Sequence, residues 1–150
     1  AAAALVDLVV TSESDNNNQR LVALEHLEAL QSRFPEAATG ETVVEVLRAL
    51  GASDLQVRRK ALNVAMRAVV SGAGAEAMLG GLRRDLSRVV FDASQDAYKR
   101  LLLDTVSTVA SRFPEVAPLA LEVLLEYLQH GNVHYSDHVT QYIKYHPICF

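Results

Sequence analysis

The chain has 150 residues, half of them hydrophobic, with no Trp, four Pro and a formal net charge of −4. That length supports one domain with a sizeable core, and the composition excludes both a disordered tail and the basic face of a nucleic-acid binder. A single cysteine, Cys149, excludes an internal disulfide framework and fits a reducing compartment.

The opening "AAAALVDLVV" is apolar, but it is too short to span a bilayer, is interrupted by Asp7 and lacks the basic lead-in of a signal peptide. It reads as a helix over 1–12, already under way where the chain begins, so the chain is expected to be a segment of something longer. The next expected helix covers 15–34, opened by Ser14-Asp15 and closed at Phe34-Pro35. Ser-Asp supplies side-chain oxygens for the unpaired amides of a first turn, and Asp opposes the positive end of the helix dipole.

A second pair is predicted over 41–51 and 54–70. Val43, Val44, Leu47 and Leu50 form one apolar stripe that stops at Gly51. After Asp54, Val57, Ala61, Val64, Ala65 and Ala68 step at helical spacing. A third pair covers 74–89 and 95–112, with Met78, Leu79, Leu82, Leu86 and Val89 on one helix and Tyr98, Leu101, Leu102, Val106, Val109 and Ala110 on the other. The fourth covers 115–130 and 136–145. Val116, Leu119, Ala120, Val123, Leu124, Tyr127 and Leu128 form its first stripe, which Leu121 and Leu125 widen before Gly131 stops it.

The aspartates Asp15, Asp54, Asp96 and Asp137 recur at intervals of 39, 42 and 41 residues. A beat near forty residues suits a helical-hairpin repeat. The string "SRFPE" fits the same beat: it occurs at 32–36 and 111–115, 79 residues apart and thus two beats. Proline disfavours helix at the residue before it and is tolerated at a helix's first position, so Phe34-Pro35 and Phe113-Pro114 end one helix and begin another. The Phe side chains are expected to plug the gap between neighbouring repeats. At the intermediate beat the chain reads "SGAGAE", with glycine as the breaker.

The expected fold is therefore all-α: a right-handed α-solenoid of HEAT/armadillo-like hairpins, about eight helices in four pairs, with repeats near 1–34, 41–70, 74–112 and 115–145. No segment alternates with period two. An excised solenoid exposes end faces that neighbouring repeats would cover, so self-association or marginal stability in isolation is expected.

The stretch Asp54-Leu55-Gln56-Val57-Arg58-Arg59-Lys60-Ala61 fits the HEAT signature Asp-x-x-Val-Arg-x-x-Ala. The ordered set "DLVVTSESDNNNQRLVALEHLEAL", "SDLQVRRKALNVAM", "LRRDLS", "YKRLLLDTV" and "SRFPEVA" goes further. Together these strings resemble the middle of the N-terminal trunk of the coatomer beta subunit family, over about residues 4–130. The segment before "YKRLLL" is shorter than that family usually has, and the match thins beyond Gly131.

The resemblance implies a non-catalytic scaffold of the COPI vesicle coat, cytoplasmic and peripheral on Golgi membranes, serving retrograde and intra-Golgi transport. It implies partnership with other coatomer subunits, the delta subunit especially. It also implies recruitment by Arf-type small GTPases through the whole protein, with no GTPase-binding residue carried onto these positions. Asp54 and Arg58 take the repeat's ladder positions, a structural role. Competing readings are another HEAT trunk, such as a clathrin-adaptor large chain or a nuclear transport receptor, and a small helical metal- or nucleotide-binding protein.

Chemistry-bearing residues are sparse. "VVSGAGAEA" at 69–77 matches G-x-G-x-x-A, with Asp92 at the distance of a ribose-binding acid, but a dinucleotide site needs a strand before its glycines. Here a helical stripe precedes them, and the stretch reads as a turn between repeats. His130, His134 and His138 are spaced four apart beside Asp137; Gly131 separates the first from the others, leaving His134 and His138 as the only metal candidates against the plainer reading of surface histidines. The densest positive charge lies at Arg58, Arg59 and Lys60 and at Arg83 and Arg84, either a solvated helix face or a surface for a partner's acidic patch or anionic lipid. Tyr127, Tyr135, Tyr142 and Tyr145 gather toward the C-terminus, as a contact surface or as filling for the last pair. No nucleophile elbow and no isolated carboxylate pair is present, so the reading is non-enzymatic and needs no cofactor.

Overall fold

The computed structural model describes residues 2–11, 16–37, 39–89 and 91–130. Among these residues the chain is all-α, with seven α-helices and no strand. They are α1 (Ala2–Thr11), α2 (Asn17–Arg33), α3 (Gly40–Leu47), α4 (Leu55–Ala68), α5 (Gly72–Val89), α6 (Asp96–Arg112) and α7 (Ala117–His130). Short 3-10 turns at Pro35–Ala37, Arg48–Gly51, Ala93–Gln95 and Pro114–Val116 join several of them. The chain divides into two compact units, Ala1–Met78 and Leu79–Phe150, with the boundary inside α5.

In the first unit α1 packs on α2 and α3 on α4, and the two hairpins then stack through α2 on α4 and α1 on α3. Like-on-like stacking of this kind is the step of a helical-repeat solenoid. The apolar stripes make it: Val6 and Val9, Leu24 and Leu27, Val43 and Val46, and Val57, Ala61 and Val64 are all buried. Full burial of a Leu or Val side chain is worth roughly 1.5–3 kcal/mol, so these four faces supply the main cohesion of the unit. Ala61, Ala65 and Ala68 keep the α4 face small and fully buried.

The helix ends follow from side-chain chemistry. Asp54 caps α4, its carboxylate accepting from the amides of Gln56 at 2.6 Å and Val57 at 3.3 Å. Thr39 and Thr42 close a reciprocal capping box on α3. At α2 the cap is Asn16, whose side chain accepts from the Gln19 amide. Asp15, expected to open this helix, lies outside the described residues. Ser71 accepts from the Gly74 amide at the start of α5. The glycine-rich stretch is therefore the first turn of a helix that follows another helix, and the strand a dinucleotide fold requires is not there.

In the second unit α6 packs on α7. Tyr98 of α6 is buried and donates its hydroxyl to the carboxylate of Asp85 on α5, which also pairs with Arg88 at 3.5 Å. Asp96 does not cap α6, contrary to the pattern of the repeat. The helix begins at Asp96 itself, and the capping carboxylate is Asp92, which accepts from both the amide and the hydroxyl of Ser94 and so opens the preceding 3-10 turn. Asp96 instead pairs at 3.3 Å with Lys99, one turn on, whose side chain is almost wholly buried.

Candidate functional site

The "SRFPE" strings produce the same local geometry twice. α2 ends at Arg33 with Phe34 at φ −134°, ψ 80°, and α6 ends at Arg112 with Phe113 at φ −128°, ψ 82°. In each case Pro35 or Pro114 then starts a 3-10 turn. Both Phe amides still donate back into the outgoing helix, to Leu30 and Val109. Phe34 does not act as a plug. Phe34 is 51% exposed and lines an open cleft between α1 and α2 with Ala4, Leu5, His26 and Leu30. Phe113 is half-buried, and the Arg112 guanidinium sits 5.3 Å from its ring centroid. At Phe34 the extended backbone before proline leaves the ring half in solvent, so there the string breaks the helix without sealing the repeat.

The basic residues part company. Arg58 turns back on its own hairpin and donates to the Ala52 carbonyl. Lys60 pairs with Glu28 of α2, and Arg67 reaches the same carboxylate at 3.3 Å and the Ser32 hydroxyl at 3.0 Å. About three-quarters of each side chain in the Lys60–Glu28 pair is withdrawn from solvent. The hydrogen bond from Lys60, with the charges of Lys60 and Arg67, holds the Glu28 carboxyl below its ordinary value against the opposing cost of burial. Arg83 of α5 grips Glu126 of α7 through Nε, at 2.6 Å, and through Nη2, and the Glu126 bond holds the guanidinium above its ordinary value. Arg59 and Arg84 stay exposed. Of the five cations offered as a partner surface, Arg58 is thus used within its own hairpin, and Lys60 and Arg83 join neighbouring helices.

An apolar groove between α5 and α7 is lined by Leu86, Phe91, Val123 and Tyr127, with Arg83, Glu126 and His130 at its edge. It holds about 110 Å³, well below the ~300 Å³ at which small-molecule sites begin. Phe91 beside it is 76% exposed. Among the described residues no group of three or more His, Cys, Asp or Glu is placed to hold a metal ion. His134, His138 and Asp137 lie outside the described residues. Also among the described residues, no helix is long and apolar enough to cross a membrane.

Sequence reading missed Glu28 and Glu126 as the acids that bind one helix to the next. Each lies on a helix with one other acid, Glu25 on α2 and Glu122 on α7, and only the stacked geometry shows which one faces a cation. The capping role of Asp92 was legible in principle, since Asp-x-Ser is a common local turn.

No family model matches the chain, and no solved structure matches it. Curated proteins do. The chain is 36% identical to coatomer subunit beta of Drosophila melanogaster over 135 residues, 88% of this chain and 14% of that protein. It is 32% identical to coatomer subunit beta of Saccharomyces cerevisiae over 143 residues, 93% of this chain and 14% of that protein. To coatomer subunit beta of Sus scrofa it is 29% identical over 147 residues, 96% of this chain. The chain spans about 15% of the length of the curated relatives it matches. With its all-α fold and these likenesses across nearly its whole length, the chain is homologous to a segment of the coatomer beta subunits.

Proposed function

We propose that this chain is a non-catalytic scaffold segment of a COPI vesicle-coat subunit, working through protein–protein contact in retrograde Golgi-to-ER and intra-Golgi transport. The observation that carries the reading is the likeness to coatomer subunit beta in animals, fungi and a plant, running through almost the entire chain. The way polar side chains are used supports it. Asp54 and Asp92 cap turns, while Glu28, Lys60, Arg83 and Glu126 tie helices together. That is the chemistry of holding a shape. A stacked-hairpin fold leaves long faces free, and such faces suit contact with several partners at once. The other coatomer subunits, the delta subunit first among them, are the partners this reading names, with recruitment to Golgi membranes by a GTP-bound Arf-type GTPase through the whole protein. Affinity capture of the whole protein from cytosol, probed for the delta subunit and for Arf with and without a non-hydrolysable GTP analogue, tests it. Recovery of both supports the coat assignment, and recovery of neither overturns it.

A further inference from the structure

Of all the serines and threonines in the sequence, Ser87 alone has a basic residue three positions before it, Arg84, and Arg83 and Arg88 flank the same stretch. Arg-x-x-Ser is a pattern that basophilic Ser/Thr kinases select, because an acidic subsite beside their cleft takes the guanidinium. The fold leaves both side chains outward: Arg84 and Ser87 are exposed and lie one turn apart near the end of α5. The Ser87 hydroxyl donates to the Arg84 carbonyl at 2.8 Å, within its own turn. The helix ends at Val89, and the last turn of a helix is where local opening into a kinase cleft costs least.

Ser87 also stands beside a tie between two helices. It lines the α5–α7 groove together with Arg83, which precedes it at i, i+4 spacing, so the two side chains are neighbours on one face. From there Arg83 reaches across to Glu126, with 43% and 40% of the two side chains still in water.

We propose that Ser87 is a phosphorylation site for a basophilic Ser/Thr kinase, and that its phosphate draws Arg83 away from Glu126 and loosens α7 from α5. In the transfer the Ser87 Oγ forms a bond to the γ-phosphorus of ATP. The bond from that phosphorus to the β–γ bridging oxygen breaks, ADP departs with the electron pair, and the hydroxyl proton passes to the kinase's catalytic base. The product carries about −1.5 to −2 charge and three strong acceptor oxygens. It offers Arg83 a stronger acceptor on its own helix than the single carboxylate across the groove, and it repels that carboxylate. A dianion in the last turn also opposes the negative end of the α5 dipole, which weakens the turn further. The inference goes beyond the scaffold reading, because it makes the stiffness of the second unit adjustable, and it is read on the chain itself without any coat partner.

The test treats the 150-residue chain with Mg-ATP and a calmodulin-dependent protein kinase, which selects Arg three residues before the hydroxyl. One phosphate per chain is expected, located at Ser87 by tandem mass spectrometry, and Ser87→Ala should take up none. Hydrogen exchange then compares the two forms. Amides of Val123–His130 should exchange about threefold faster after phosphorylation, the size expected for losing one half-exposed ion pair, with Leu55–Ala68 unchanged. Glu126→Gln, which lacks the ionic tie from the start, should show that faster exchange already and gain little more on phosphorylation. A chain that takes up no phosphate at Ser87 overturns the proposal. So does a phosphorylated chain whose α7 exchange is unaltered, or one whose acceleration is just as large in Glu126→Gln.

Discussion

The Glu28–Lys60 pair offers the sharpest test of how the hairpins of the first unit are held in register. It joins α2 to α4 across 32 residues of sequence, with Arg67 adding a second cation at 3.3 Å. The perturbation is a double-mutant cycle: Glu28→Gln, Lys60→Met and both together. Exposed ion pairs contribute about 0.2–1 kcal/mol, and hydrogen bonds to charged groups about 1.5–3 kcal/mol. With about a quarter of each side chain in water, the coupling is expected between these limits, about 1–1.5 kcal/mol. For a chain of this size that corresponds to a Tm shift of about 2–6 °C, read by circular dichroism at 222 nm. The pH dependence has a fixed sign. Burial raises the Glu28 pKa, but the Lys60 hydrogen bond and the two positive charges outweigh it, so the folded value lies below the ordinary 4.5. The stabilisation is therefore complete above about pH 4.5 and is lost as pH falls through the folded value. Glu28→Gln should remove that acid-side loss. A coupling below about 0.3 kcal/mol, or an acid transition unchanged in Glu28→Gln, would show that apolar packing alone holds α2 on α4.

Three further outcomes are open to the same thermal measurement. Gln31 is 5% exposed, and both polar atoms of its side chain are buried without a hydrogen-bond partner, so Gln31→Leu is expected to stabilise by about 1–2 kcal/mol. Gly80 sits exposed within α5, and a Cβ built there meets nothing within 4 Å, so Gly80→Ala should stabilise by about 0.5–1 kcal/mol. Asp54→Ala removes the acceptor for two first-turn amides of α4 and should cost about 1 kcal/mol, with Asp54→Asn recovering most of it.

The fold was legible wherever a residue acts through its neighbours in sequence. Stripes such as Val57, Ala61 and Val64 depend only on helical spacing, and they came out buried. Phe-Pro breaks the helix by a clash within one dipeptide, and both copies gave the same backbone angles. Asp54 capped as its spacing required. Where two local signals competed, the reading failed. Asp92 and Asp96 lie four residues apart; Asp92 caps the 3-10 turn through Ser94, and Asp96 is the first residue of the helix that follows. The Phe34 ring was placed inward on hydrophobicity alone, yet it stands half in solvent. Residue type does not say which way an extended backbone points its side chain. The surface was least legible, because Lys60 and Arg59 are adjacent in sequence and only the stacking of α4 on α2 distinguishes the one that pairs.

That distinction bears on the scaffold role proposed above. Leucine and valine stripes repeat every three or four residues, so two stacked helices can slide by a turn and find nearly equivalent contacts. A charge pair has one good position. Lys60 on Glu28, and separately Arg83 on Glu126, set a register that apolar packing leaves soft. Charges spent on register are no longer available to partners, which directs the search for a binding face to side chains left outward, among them Arg59, Val22 and Val44 in the first unit and Arg84 and Phe91 in the second. A substitution in the first group of residues should weaken the shape and every contact together. A substitution in the second should leave the fold intact, and loss of one contact without loss of stability is the outcome that would support the scaffold reading proposed above.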